Sequence, residues 1–179
     1  MSHYKKIVGE KVYLSPMSED SVESYTKWLN DSAVSDGLAT SHFQVNLLSE
    51  KKWLTESLEN ESQQYSIITL KENRLVGHIG LEELCHIQRV ATVGIFIGEQ
   101  GDRSMGYGSE ALSLMMGYCF GVLNLNNLML RVLPFNEAAI KAYTRLGFRE
   151  FGRRRAAYYL NNQYHDLIHM DITKQDFYS

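Results

Sequence analysis

The sequence predicts a single α/β domain of the α+β kind, spanning 1–179, with a mixed, largely antiparallel sheet of about seven strands and about four flanking helices. Three observations carry this. The chain has 179 residues, enough to bury one sizeable core and too few for two ordinary domains. Apolar residues make up 44% and charged residues 22%, which excludes disordered and collagen-like chains. Strand-like and helix-like runs intermingle with no internal repeat or low-complexity linker, and only Pro16 and Pro134 interrupt the backbone.

Lys11 to Leu14 reads as a short strand. Ser18 is placed to cap a helix, with Glu19 and Asp20 where the helix dipole favours acids and with Val22, Tyr25 and Leu29 on one face. After a loop over 31–46, Ser49 is expected to cap a second helix carrying Trp53, Leu54 and Leu58. Two strands, Tyr65–Leu70 and Leu75–Leu81, flank the polar turn Lys71–Arg74. A third covers Ala91–Ile97, before a glycine-rich loop over 98–108 and a helix over 109–123. Leu128–Leu133 is a strand, and Asn136 opens a helix that Gly147 stops. Two last strands lie near 156–160 and 166–172.

Residues 111–130 carry no charge, a length that would span a bilayer. Asn124, Asn126 and Asn127 near one end are costly in hydrocarbon and mark a helix end followed by a loop, so a buried core helix is expected. The first ten residues show no apolar signal segment. Cys85 and Cys119 form neither a disulfide framework nor a metal spacing, which suits a reducing, cytoplasmic location. The net charge of −3 argues against nucleic acid as ligand.

Arg103-Ser104-Met105-Gly106-Tyr107-Gly108 lies between a strand and a helix. Glycines let the backbone approach a ligand, and the amides of the loop and helix start point at an anion, for which phosphate is the natural guest. No Lys-Ser or Lys-Thr follows, so the P-loop fails. Gly106, Gly108 and Ala111 satisfy the dinucleotide fingerprint, yet the first glycine lies nine positions beyond Ile97, and no acid stands about 20 residues further on.

Residues 103–108 resemble the pyrophosphate loop of the Gcn5-related N-acetyltransferases, Gln/Arg-x-x-Gly-x-Gly/Ala. The run from Asn136 through Tyr143 to Gly147-Phe148 is similar to that family's second signature, and the 27-residue gap suits the intervening helix and strand. The resemblance covers about 10–175. Gly77-His78-Ile79-Gly80-Leu81 and the closing 164–170 segment give it the flavour of the RimJ/RimL branch, acetylases of ribosomal-protein N-termini, and its spermidine-acetylating relatives.

The resemblance implies acetyl-CoA as acyl donor and a primary amine as acceptor, joined by direct attack in a ternary complex. The amides of Arg103, Ser104, Met105, Gly106, Tyr107, Gly108 and Ser109 would hold the diphosphate. Ile95, Phe96 and Ile97 would offer backbone groups to pantetheine where the strand splays, and one N–H would stabilise the oxyanion. Asn136 would bind beyond the split. Tyr143 falls at the general-acid position, where a phenol with an ordinary pKa near ~10 donates a proton to the departing thiolate.

Attack requires a neutral amine. An α-amino group is already roughly 15% neutral at pH 7, whereas an alkylamine is about 4.6 kcal/mol further from that state. Glu82 and Glu83 end their strand, and alternation points one of them inward as a base. The reading adopted for the acceptor is a protein N-terminal amine. A polyamine, a diamine or another small amine is the alternative, and a non-catalytic CoA sensor or interaction module is the rival of a different class. A homodimer is compatible with the branch.

Other candidates carry blander readings. Cys119 sits in an apolar helix without a neighbouring cation and reads as a structural thiol rather than a nucleophile. His165 and His169 lack a third ligand, so no metal is expected. Arg153-Arg154-Arg155 reads as a solvated turn. Residues 19–83 hold 12 acidic and 5 basic side chains, net −7, and Asp31, Asp36 and the Glu56-Glu59-Glu61 group would attract a cationic acceptor.

Overall fold

A computed structural model describes residues 3–38, 42–59 and 62–179. In chain order the described residues form β1 (Ile7–Val8), β2 (Val12–Pro16), α1 (Val22–Leu29), α2 (Ser32–Ser35), α3 (Leu47–Glu59), β3 (Gln64–Thr69), β4 (Leu75–Cys85) and β5 (Val90–Ile97). There follow α4 (Tyr107–Gly121), β6 (Asn127–Val132), α5 (Glu137–Arg145), β7 (Arg149–Leu160), β8 (Gln163–Thr173) and α6 (Lys174–Tyr178). Eight strands and six helices replace the expected seven and four. The additions, β1, α2 and α6, are two, four and five residues long, too short to leave a periodic signal.

One eight-stranded sheet runs in the order β1-β2-β3-β4-β5-β6-β8-β7. Every pairing is antiparallel except β5 with β6. Alternation along β2 sends Val12 and Leu14 to one core and Tyr13 to a second. The larger core packs Leu112, Met115, Met116, Cys119 and Phe120 of α4 against the sheet. The smaller gathers Val22, Tyr25, Trp28 and Val34 from α1 and α2 with Leu54 of α3.

α4 takes up the first part of the uncharged 111–130 run as the expected core helix, and the rest becomes a loop and β6. The helix spans 15 residues, and no helix among the described residues is long and apolar enough to cross a membrane. Burial pushes the Cys119 thiol up to about 12, so it stays a protonated packing group. Gly147 stops α5 as expected, at φ +97°, and a Cβ there would come within 3.0 Å of Ile172 Cδ1.

Three local readings are corrected. Ser18 precedes a 3₁₀ turn over Glu19–Ser21, and its side chain caps nothing. The cap of α3 is Asn46, whose Oδ1 accepts from the amides of Leu48 and Ser49, both at 3.0 Å, while Ser49 Oγ accepts from the Asn46 amide. Arg153–Arg155 are not a turn. They lie within β7, which extends back to Arg149 at the sheet edge, where exposed arginines satisfy strand geometry without needing an apolar face.

Candidate active site

The parallel pairing of β5 with β6 covers only Val90–Thr92 against Asn127–Met129. Beyond Thr92, β5 stays paired to β4 through Ile97, while β6 stays paired to β8 through Val132. The two strands therefore part, and the edge of β5 that faced β6 carries no ladder from Val93 onward. A cavity of about 1120 Å³ opens in this wedge. Its floor is β5 from Val93 to Ile97, its far wall is β6 and α5, and its end is the glycine-rich loop.

Backbone geometry makes that loop receptive. Ser104 and Gly106 both take left-handed conformations, at φ +65° and +86°. Gly106 is the N-cap of α4, no side chain caps the helix, and its first internal bond is Glu110 N–H to Gly106 O at 3.0 Å. The amides of Tyr107, Gly108 and Ser109 thus begin a helix with no acceptor of their own.

The loop is fastened by bonds the sequence did not foretell, from side chains both behind the cavity and on its wall. Lys11 Nζ donates to Met105 O at 3.2 Å. The Glu110 carboxylate accepts the amides of Glu10 and, at 3.0 Å, Lys11, tying the β1–β2 turn to the head of α4. Asp102 receives two 2.7 Å bonds from the Arg74 guanidinium, whose charge this partner secures. Arg103 turns back on the loop and donates to Gly98 O at 3.2 Å.

Asn136 caps α5, its Oδ1 accepting from Ala139 N at 3.3 Å, and it lines the cavity. Tyr143 lies two turns further along, its ring 6.2 Å from that of Phe148, and faces the same cavity. Burial pushes its phenol up to about 12, and its hydroxyl has no hydrogen-bond partner among the described residues. It is therefore a protonated donor with an unused proton.

The two strand-end carboxylates differ. A bulge between Glu82 and Cys85 leaves Glu83 at φ +52°. Its Oε2 accepts from Thr92 Oγ1 and its Oε1 from Arg131 Nη2, both at 2.7 Å, and these donors, Thr92 first, hold its pKa below the ordinary value. Among the described residues Glu82 has no such partner. Its carboxylate lies beside Gly94, where an added Cβ would be 3.9 Å from Oε1. Glu82 borders both the large cavity and a second one of about 300 Å³, which continues past Gly94, Ile95 and Phe96 toward α1 and α3.

The structure thus brings Glu82, Ile95, Phe96, Ile97, Arg103, Ser104, Gly106, Tyr107, Gly108, Ser109, Asn136 and Tyr143 around one cavity. Met105 and Glu83 do not line it. The Met105 side chain is exposed, and its carbonyl serves Lys11. Asp36 reaches the cavity wall, Asp31 caps α2, Glu56 pairs with Lys52, and Glu61 lies outside the described residues. Among the described residues no group of three metal-ligating side chains is assembled.

A parted sheet ending in uncapped helix amides defines an α/β domain shaped for an extended, anionic ligand. The comparisons make the class specific. Residues 11–149 match the family model "Acetyltransferase (GNAT) domain", and the chain belongs to that family. It is 36% identical over 101 residues to spermidine N(1)-acetyltransferase of Escherichia coli, covering 56% of this chain and 54% of that protein. It is 29% identical over 108 residues to the putative ribosomal N-acetyltransferase YdaF of Bacillus subtilis, covering 60% and 58%. The chain therefore matches little more than half the length of these relatives. The same fold occurs in spermidine N-acetyltransferase from Vibrio cholerae, solved in complex with CoA and spermine, with a TM-score of 0.88, 19% identity, and coverage of 96% of this chain and all of that one.

Proposed function

We propose that this chain transfers the acetyl group of acetyl-CoA to a primary amine, with both substrates bound together. The observation that carries the proposal is the wedge itself, which has anion-seeking amides at one end and, at the other, a carboxylate and a phenol without partners among the described residues. The free amides of Tyr107, Gly108 and Ser109 at the head of α4 hold the diphosphate, while the Arg103 amide is taken by Gln100 O at 3.2 Å. The open edge of Ile95–Ile97 pairs with pantetheine, and a β5 amide near Gly94 donates to the thioester oxygen as negative charge develops there. Glu82 accepts the proton that the amine sheds as its nitrogen bonds to the carbonyl carbon. As the carbon–sulfur bond breaks, Tyr143 protonates the thiolate. Glu83 serves differently: bound by Thr92 and Arg131, it braces β4 against β5 and β6.

For the acceptor, the 300 Å³ cavity beside Gly94 supports a small amine over the protein N-terminus expected from the sequence, since a pocket of this size suits a compact molecule. Two measurements test the reading. CoA should raise the melting temperature, and an amine and peptide panel should release CoA thiol only with productive acceptors. CoA binding without thiol release on any amine favours the sensor reading instead. No shift at saturating CoA removes both.

A further inference from the structure

Among the described residues, the second cavity is lined by two carboxylates and by no lysine or arginine. Glu82 stands at its junction with the large cavity. The other, Glu50, faces only the second cavity and is 6% exposed. Among the described residues the Glu50 side chain has neither an ion-pair nor a hydrogen-bond partner. A buried carboxylate without a counter-charge is expensive, and burial raises its pKa above the ordinary value.

Four rings, those of Tyr25, Trp53, His78 and Phe96, line the cavity that Glu50 faces. The His78 ring lies 5.9 Å from Tyr25, 5.9 Å from Trp53 and 5.6 Å from Phe96. Desolvation pushes His78 down to about 4, so at neutral pH the imidazole brings no positive charge to Glu50. Trp53 follows Glu50 by three residues on α3, placing both on one helix face. Ring faces and an unpaired carboxylate favour a cation, which the protein itself does not supply. His78, Gly80 and Glu82 share one face of β4, and the four residue steps from His78 to Glu82 span about 13 Å.

We infer that Glu50 and its aromatic wall form a second cation subsite, so that the acceptor is an aliphatic amine carrying another ammonium group some distance from the nitrogen that is acetylated. This rests on the proposed function, in which the reacting nitrogen lies by Glu82 and Gly94. The distal ammonium remains charged on Glu50 throughout, its apolar spacer lies along Ile95 and Phe96, and it fixes which end of the acceptor reaches the thioester.

The test compares putrescine with butylamine, which share a carbon skeleton and differ in one terminal ammonium. Each is assayed by CoA-thiol release and by calorimetric binding to the CoA-loaded protein. The wild-type chain should favour putrescine by about tenfold or more in kcat/KM and in affinity. Glu50→Gln should bring that ratio close to one, and Trp53→Leu, altering a partly exposed ring, should lower it several-fold without requiring a change at the buried acid. Equal use of the two amines by the wild type, or a ratio that Glu50→Gln leaves intact, overturns the subsite while the acetyltransferase reading stands. Tight putrescine binding that depends on Glu50 but yields no thiol keeps the subsite and overturns the catalytic reading.

Discussion

The donor end of the wedge and the acceptor end are built by different means. At the donor end the groups offered to a ligand are peptide amides, held by a left-handed glycine and by side chains behind the cavity and on its wall. At the acceptor end the offered groups are side chains, Glu50, Glu82 and the rings around His78, drawn from α3, β4, α1 and β5. Backbone recognition needs only a short run with the right conformations, so it leaves a contiguous motif. Side-chain recognition needs convergence in space and leaves none.

The most severe test of the contrast is Tyr143→Phe, which keeps the ring packed on Phe148 and deletes one proton. kcat should fall about a hundredfold while the KM for acetyl-CoA stays near its wild-type value. Unchanged turnover would remove the phenol from the chemistry and leave the acceptor end with a single reacting group.

Next comes a pH test of the acceptor wall. His78 has a folded pKa of about 4 against an ordinary 6.5, so between those values the unfolded chain binds a proton that the folded chain refuses. Its contribution is complete above pH 6.5 and shrinks as pH falls, removing about 2 kcal/mol between pH 7 and pH 5. Urea unfolding should show this slope, and His78→Phe should flatten it. A flat wild-type profile would mean the ring is hydrated.

At the donor end, Gly106→Val places a β-branched residue at φ +86°, a cost of about 1–2 kcal/mol. Acetyl-CoA should bind roughly tenfold more weakly, with acceptor preference unaltered. A change in acceptor preference would break the separation of the two ends. The smallest expected effect is that of Arg74→Ala. Because the guanidinium is nearly half exposed, stability should drop by only about 1 kcal/mol, read as a shift of the urea midpoint.

The same contrast accounts for what could be read from the chain before folding. Residues 103–108 and 136–148 betrayed the loop, the capping Asn136 and the placement of Tyr143, because each is a local pattern. Asp102 lay beside the motif, but its partner Arg74 is 28 residues away, and no periodicity links them. Glu50 left a faint trace: its spacing to Trp53 and Leu54 puts an acid on the apolar face of α3, an inconsistency that often marks a site. Glu82 and Glu83 were indistinguishable by alternation, because the bulge between Glu82 and Cys85 that separates their roles is a feature of pairing.

The bond between Glu110 and the turn at Glu10 and Lys11 reaches beyond local order. It makes Glu10 and Lys11, neither of which borders the wedge, the anchor of the peptide proposed to grip the diphosphate. On the proposed reading, a purification handle fused close to that turn, or a truncation through it, would loosen the head of α4 from behind, and a preparation altered in this way would read as a weak binder of acetyl-CoA.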